Sequence, residues 1–131
     1  MQPTRDIRTF YERLGGEAPL RQLVQNFYRQ MDQLPECLTI RQMHAADLGS
    51  AEEKLFLFLS GWMGGPNLYI ERYGHPRLRM RHLPFPIDES ARDQWMLCMQ
   101  RALDESVDEP ALREDLMRAL FEVADFMRNR E

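Results

Sequence analysis

Three histidines, His44, His75 and His82, are the side chains of this sequence best suited to bind a metal or move a proton near neutral pH. Two of them fall in GHPRLRMRHLPFPI, Gly74 to Ile87, where Arg77, Arg79 and Arg81 alternate with Leu78 and Met80. There is no HExxH and no pair of histidines four residues apart, so a helical zinc site is not expected. The phosphate-loop pattern GxxxxGKS/T and the nucleophile elbow GxSxG are also absent. His75 precedes Pro76, which pushes its backbone toward an extended turn and makes it a poor candidate for an aimed ligand. His82 closes the segment Pro76 to His82, long enough for roughly two helical turns. Arg79 shares its face, and Leu83, Phe85 and Ile87 follow as apolar walls.

One imidazole among arginines and apolar side chains suits a flat, apolar cofactor with carboxylate edges. Haem fits that description: its iron takes an axial histidine and its propionates take arginine or lysine. The same residues allow a plainer reading, in which His82 is a satisfied core or surface histidine and the arginines are solvated.

The elements that must position these residues read as helices. Valine, isoleucine and threonine are scarce, and no segment alternates apolar and polar residues over a strand's length. Arg5 to Leu14 forms a short amphipathic segment stopped by Gly15-Gly16. Pro19 sits in the first turn of a second helix, whose stripe Leu20, Leu23, Val24, Phe27 and Tyr28 ends near Leu34-Pro35. Ser50 to Glu53 reads as a capping box with Ser50 as N-cap. The helix it opens carries Leu55, Phe56, Phe58, Leu59 and Trp62 up to Gly64-Gly65-Pro66, and a shorter helical piece runs to Tyr73. Two long helices complete the chain. Asp88 to Val107 turns Trp95, Met99, Ala102 and Leu103 inward, and Asp108 to Arg130 does so with Leu112, Leu116, Leu120, Val123 and Phe126 or Met127. The expectation is an all-α fold in one domain, residues 1–131, interrupted by an irregular Gly/Pro-rich passage.

The net charge of −4 argues against general nucleic-acid binding, and no apolar run approaches a membrane span. The opening residues lack the apolar core of a signal peptide. Cys37 and Cys98 form no CxxC or CxxCH, so zinc ribbons and covalent haem attachment are unsupported. A reduced, cytoplasmic setting is expected, with both thiols packed as small hydrophobes.

The block GGPNLYIERYGHPRLRMRHLPFPI, Gly64 to Ile87, closely resembles the signature of group II truncated haemoglobins. The resemblance runs from about Phe10 to Met127 and takes in Gly15-Gly16, Phe27-Tyr28, Asp47-Leu48 with the AEEKL helix start, and Trp95. It implies a shortened globin, a two-over-two helical sandwich around non-covalently held haem b, iron protoporphyrin IX. It makes His82 the proximal iron ligand and sends the Tyr28 hydroxyl and the Trp95 indole N–H into the distal pocket. Ala51 stands where many globins keep a distal histidine, Leu55 roofs the pocket, and Phe58 and Leu59 are apolar haem contacts. Lys54, Tyr69, Arg79 and Arg81 become candidates for the propionates. One departure is notable: many group II members have a tyrosine at the corner before the distal helix. Here His44, or Met43 beside it, takes that place, which offers a second imidazole to the iron.

Such a pocket implies binding of dioxygen, nitric oxide or carbon monoxide. Donors at Tyr28, Trp95 and His44 would slow ligand release, which disfavours simple transport and favours redox chemistry on oxygen or nitrogen species, such as nitric oxide oxidation or peroxide reduction. No flavin or nicotinamide motif is present, so such an enzyme needs an external reductase. The alternative is reversible storage or sensing without turnover, and a weaker one is a helical interaction module without haem. Enzyme status stays open on the sequence, as does the choice between monomer and homodimer.

Overall fold

The computed structural model describes residues 7–130, so Arg5 and Asp6 of the first expected helix lie outside the described residues. Within that span the chain forms α1 (Phe10–Leu14), α2 (Glu17–Gln33), a 3-10 turn (Pro35–Cys37), α3 (Leu38–Gln42), α4 (Gly49–Trp62), α5 (Leu68–Tyr73), α6 (Leu78–His82), α7 (Glu89–Ser106) and α8 (Pro110–Phe126).

The helix ends follow local chemistry. Thr9 caps α1 through a reciprocal box: its hydroxyl accepts the Glu12 N–H at 3.1 Å, and the Glu12 carboxylate accepts the Thr9 N–H at 3.2 Å. The expected box at Ser50 does not form. Ser50 lies inside α4, and the helix is entered two residues earlier, with Leu48 at the N-cap and the Asp47 carboxylate accepting the Gly49 N–H at 2.8 Å. Asp88 caps α7 by accepting the Ala91 N–H at 2.8 Å. α6 is shorter than its sequence allowed, because Arg77 takes a left-handed φ of 46° immediately before it. α8 stops at Phe126 and the chain then folds back, so the last residues are not helical as expected; Met127 turns inward and Phe126 faces solvent.

α2 and α4 form one pair and α7 and α8 the other, with α2 lying across α7. The core between them is built from Leu20, Leu23, Phe27 and Met31 of α2, Leu59 of α4, Met99 and Leu103 of α7, and Leu112, Leu116 and Leu120 of α8, all fully buried or nearly so. Each such side chain contributes roughly 1.5–3 kcal/mol by leaving water. The two buried polar side chains of the core are hydrogen-bonded: the Asn26 amide donates to the Ser106 hydroxyl at 2.7 Å, and the Ser60 hydroxyl donates to the Pro66 carbonyl at 2.8 Å. α1 docks on the end of α4, where the Tyr11 N–H donates to the Met63 carbonyl at 2.9 Å. Gly64 and Gly65 make that approach possible, since a Cβ on Gly65 would sit 2.5 Å from the Tyr11 ring and one on Gly64 2.7 Å from Thr9. No described helix is long and apolar enough to cross a membrane. The paired layers are the two-over-two arrangement that the resemblance implied.

Candidate functional site

Two groups of side chains carry the chemistry. The first gathers where α2, α3, α4 and α7 meet. Tyr28 and its neighbour Phe27 are both buried, their rings edge to face at 5.0 Å. Phe27 separates Tyr28 from Trp95 of α7, whose ring centroid lies 5.0 Å from it. The Tyr28 hydroxyl donates to the Ala51 carbonyl at 3.3 Å, in the first turn of α4, and the His44 ring meets the Tyr28 ring edge-on at 5.9 Å. The structure therefore brings together Tyr28, His44 and Ala51, and joins Trp95 to them through Phe27. Burial, reinforced by the charge of Glu52, pushes the Tyr28 phenol well above the ordinary tyrosine range, so it keeps its proton and remains a donor.

The second group is α6 and the chain that follows it. His82 is half-buried, and its Nδ1 lies 2.6 Å from the Leu78 carbonyl. A carbonyl only accepts, so Nδ1 carries the proton and Nε2 of the neutral ring keeps a lone pair for a metal. His44 has the same geometry, Nδ1 donating to the Ile40 carbonyl at 2.8 Å. His75 is reversed: its Nδ1 accepts the Arg77 N–H at 3.0 Å, which leaves the proton of a neutral ring on Nε2 and no lone pair there. The backbone thus distinguishes His82 and His44 from His75 as potential ligands, and His75 is a turn residue.

No residue of α6 is buried, and Met80 and Leu83 are about half exposed, with Phe85 close behind at 40%. A five-residue helix is not stable alone, and an apolar rim of this kind needs a cover. No group of three or more histidine, cysteine or acidic side chains among the described residues could hold a bare metal ion. A single imidazole with apolar surroundings suits a metal whose remaining ligands come from an organic chelate, and in this sense the residues fit haem.

The other candidates are more scattered. Leu55 and Phe58 are partly buried against the core, and Leu59 is wholly within it. Lys54 is exposed, its Nζ 5.9 Å from the centre of the Tyr73 ring, which in turn lies 5.0 Å from the ring of buried Tyr69. Arg81 donates from Nε to the Pro76 carbonyl at 2.8 Å. Arg79 reaches the Arg128 carbonyl at 3.4 Å, so its guanidinium is turned to the C-terminal segment. The cluster the sequence did not announce is that segment itself: Asn129 bonds to the chain on either side of Pro84-Phe85-Pro86. A polar residue near the end of a chain gives no periodic signal.

Residues 9–129 match the bacterial-like globin family. A group 2 truncated haemoglobin of Bacillus subtilis is 40% identical over 119 residues, 91% of this chain and 87% of that protein. The chain belongs to the group II truncated haemoglobins. Among solved structures, the group II two-on-two haemoglobin from Agrobacterium tumefaciens is 42% identical, with a TM-score of 0.91 covering 98% of this truncated haemoglobin and 100% of that chain. A truncated oxygen-avid haemoglobin from Bacillus subtilis is 39% identical, with a TM-score of 0.84 covering 93% and 100%. Membership makes this truncated haemoglobin a haem protein of a family that binds diatomic ligands.

Proposed function

We propose that this truncated haemoglobin holds haem b between His82 on one side and Tyr28, Trp95 and His44 on the other, and retains a diatomic ligand for redox chemistry. The observation that carries the reading is the His82 ring, with Nδ1 tied to the Leu78 carbonyl at 2.6 Å on a helix that buries nothing of its own. When bound, haem supplies an iron centre that takes dioxygen, nitric oxide or carbon monoxide and exchanges electrons. The chain's part is to fix the His82 tautomer, to cover the apolar faces with Leu55 and Phe58, and to aim donors at charge that develops on the ligand.

Each well-made hydrogen bond to a charged ligand is worth about 1.5–3 kcal/mol, and about 1.4 kcal/mol is tenfold in a rate or equilibrium constant. Two such donors make release slow, which suits turnover on the ligand better than delivery. The oxygen-avid relative from Bacillus subtilis supports this. Electrons then come from an external reductase, in a reducing cytoplasm that accords with the free thiols of Cys37 and Cys98. Reversible storage or sensing is the competing reading, and it predicts no ligand consumption when a reductant is supplied.

The deciding measurement is the visible spectrum of purified protein in ferric, ferrous and carbonyl forms. His82→Ala loses haem or binds it weakly, and His75→Ala keeps it. Equal retention by the two variants, or a wild type that stays colourless with ample haem, overturns the proposal.

A further inference from the structure

α6 has almost nothing to hold it. It is five residues long, buries none of them, and runs into Leu83-Pro84-Phe85-Pro86, where the prolines have no N–H to donate. The carbonyls at its C-terminal end need partners from elsewhere. The last of them, that of His82, finds one in the chain that returns after α8. The Asn129 side-chain amide donates to the His82 carbonyl at 3.2 Å and to the Phe85 carbonyl at 2.9 Å, while its oxygen accepts the Ile87 N–H at 2.9 Å. Both amide hydrogens and the amide oxygen are used. The reverse orientation would face oxygen with two carbonyls and NH2 with an N–H, so the assignment is unique. The backbone N–H groups of Asn129 and Arg130 also donate to the Ile87 carbonyl, at 2.9 and 3.0 Å.

The returning segment is itself anchored. Arg128 pairs with Asp125 at 2.7 Å and with Glu89 at 3.6 Å, and Arg92 of α7 pairs with the same Asp125 at 2.8 Å. Asn129 therefore ties the backbone of His82 to α7 and α8. The His82 carbonyl also accepts the Phe85 N–H at 2.9 Å, so its two lone pairs are both engaged.

We propose that Asn129 is a positioning residue for the axial ligand: by fixing the His82 backbone relative to Leu78, it sets the tilt of the imidazole and the strength of its Nδ1 hydrogen bond, and through these the iron–histidine bond. This rests on His82 being that ligand. Loosening the carbonyl lets α6 rotate, lengthens the Nδ1 contact to Leu78 and makes Nε2 a weaker donor to the metal.

The test uses the ferrous, ligand-free holoprotein and reads the iron–histidine stretching band by resonance Raman, with haem transfer to an apoglobin acceptor as a second readout. Asn129→Ala removes the three side-chain bonds to His82, Phe85 and Ile87. Asn129→Asp keeps the acceptor for Ile87 but loses both donors, and its charge faces two carbonyl oxygens. In both variants the band shifts or broadens and haem loss accelerates about tenfold. Leu112→Ala, a core truncation remote in kind, lowers stability and leaves the band in place. An unmoved band in Asn129→Ala, whatever its melting temperature, makes Asn129 a packing residue and overturns the proposal alone. A band that persists in His82→Ala removes the axial assignment and this proposal with it.

Discussion

Tryptophan and phenylalanine are both bulky aromatics, and only the first has an N–H to give. Trp95 rests against Phe27, whose ring meets Tyr28 edge to face, so replacing it by Phe keeps an aromatic ring there and deletes the donor. We expect Trp95→Phe to release dioxygen about tenfold faster or more, the loss of one charge-assisted bond. Stopped-flow displacement of oxygen by carbon monoxide measures this, and an unchanged rate would move the role to Tyr28 or His44. His44 shares with His82 the Nδ1 bond to a carbonyl four residues back, which frees Nε2. A fraction of the ferric protein should therefore be six-coordinate and low-spin, and His44→Ala should abolish that fraction; a low-spin signal that survives the substitution refutes it. The types and spacings of Tyr28, Trp95 and His82 were legible in the sequence because they sit on helical stripes or inside a recognisable block. What separated His82 from His75 more sharply was the proton on each ring, and that depends on which backbone group comes within reach. No spacing encodes it.

Helices with a broad apolar stripe, α2, α7 and α8, lie within a few residues of where periodicity put them, because packing of that stripe decides their extent. The errors collect at ends and in short pieces. Asp47 captures the first N–H of α4 before Ser50 can, the left-handed Arg77 delays α6, and the Asp125 pairing with Arg92 and Arg128 goes with a chain that turns back instead of extending α8. Each outcome is a competition between a local signal and a contact made far along the chain. The Asp125 contact has a pH signature. Chiefly the hydrogen bond from Arg92, and then that from Arg128, hold its carboxyl below the usual aspartate range. A carboxyl lowered in the folded chain stabilises it at neutral pH, and that contribution disappears as pH falls through the lowered value. Amide exchange at Asn129 and Arg130 should accordingly be faster in Asp125→Asn than in wild type at neutral pH. The two should converge on acidification, and a constant difference at all pH values would exclude this origin.

Across the described residues, one core of aliphatic, aromatic and sulfur side chains supports a site that is held at its edges. Truncating Leu116, which has no exposure, should cost about 2–5 kcal/mol in denaturant unfolding. The site behaves differently. Because no residue of α6 is fully buried, residues 78–87 of haem-free protein should exchange their amides rapidly while α2 and α7 stay protected, and adding haem should slow that exchange. Uniform protection in the haem-free protein would contradict this division. The helical core could be read from hydrophobic period, and its two layers only from the family resemblance; the edge-held site could not, since its fastening uses polar contacts to backbone between residues more than forty positions apart.

The thiols of Cys37 and Cys98 lie 3.1 Å apart with no exposure, one in the 3-10 turn and the other on α7. Burial, foremost, and the neighbouring sulfur push the Cys98 thiol far above its ordinary range, so the thiolate that reacts with disulfide reagents is scarce in the native state. Labelling must wait for the seam between the 3-10 turn and α7 to part. The molecule thereby carries its own clock for rare opening events: with reagent in excess the absorbance trace counts openings directly, and at low reagent it reports their equilibrium.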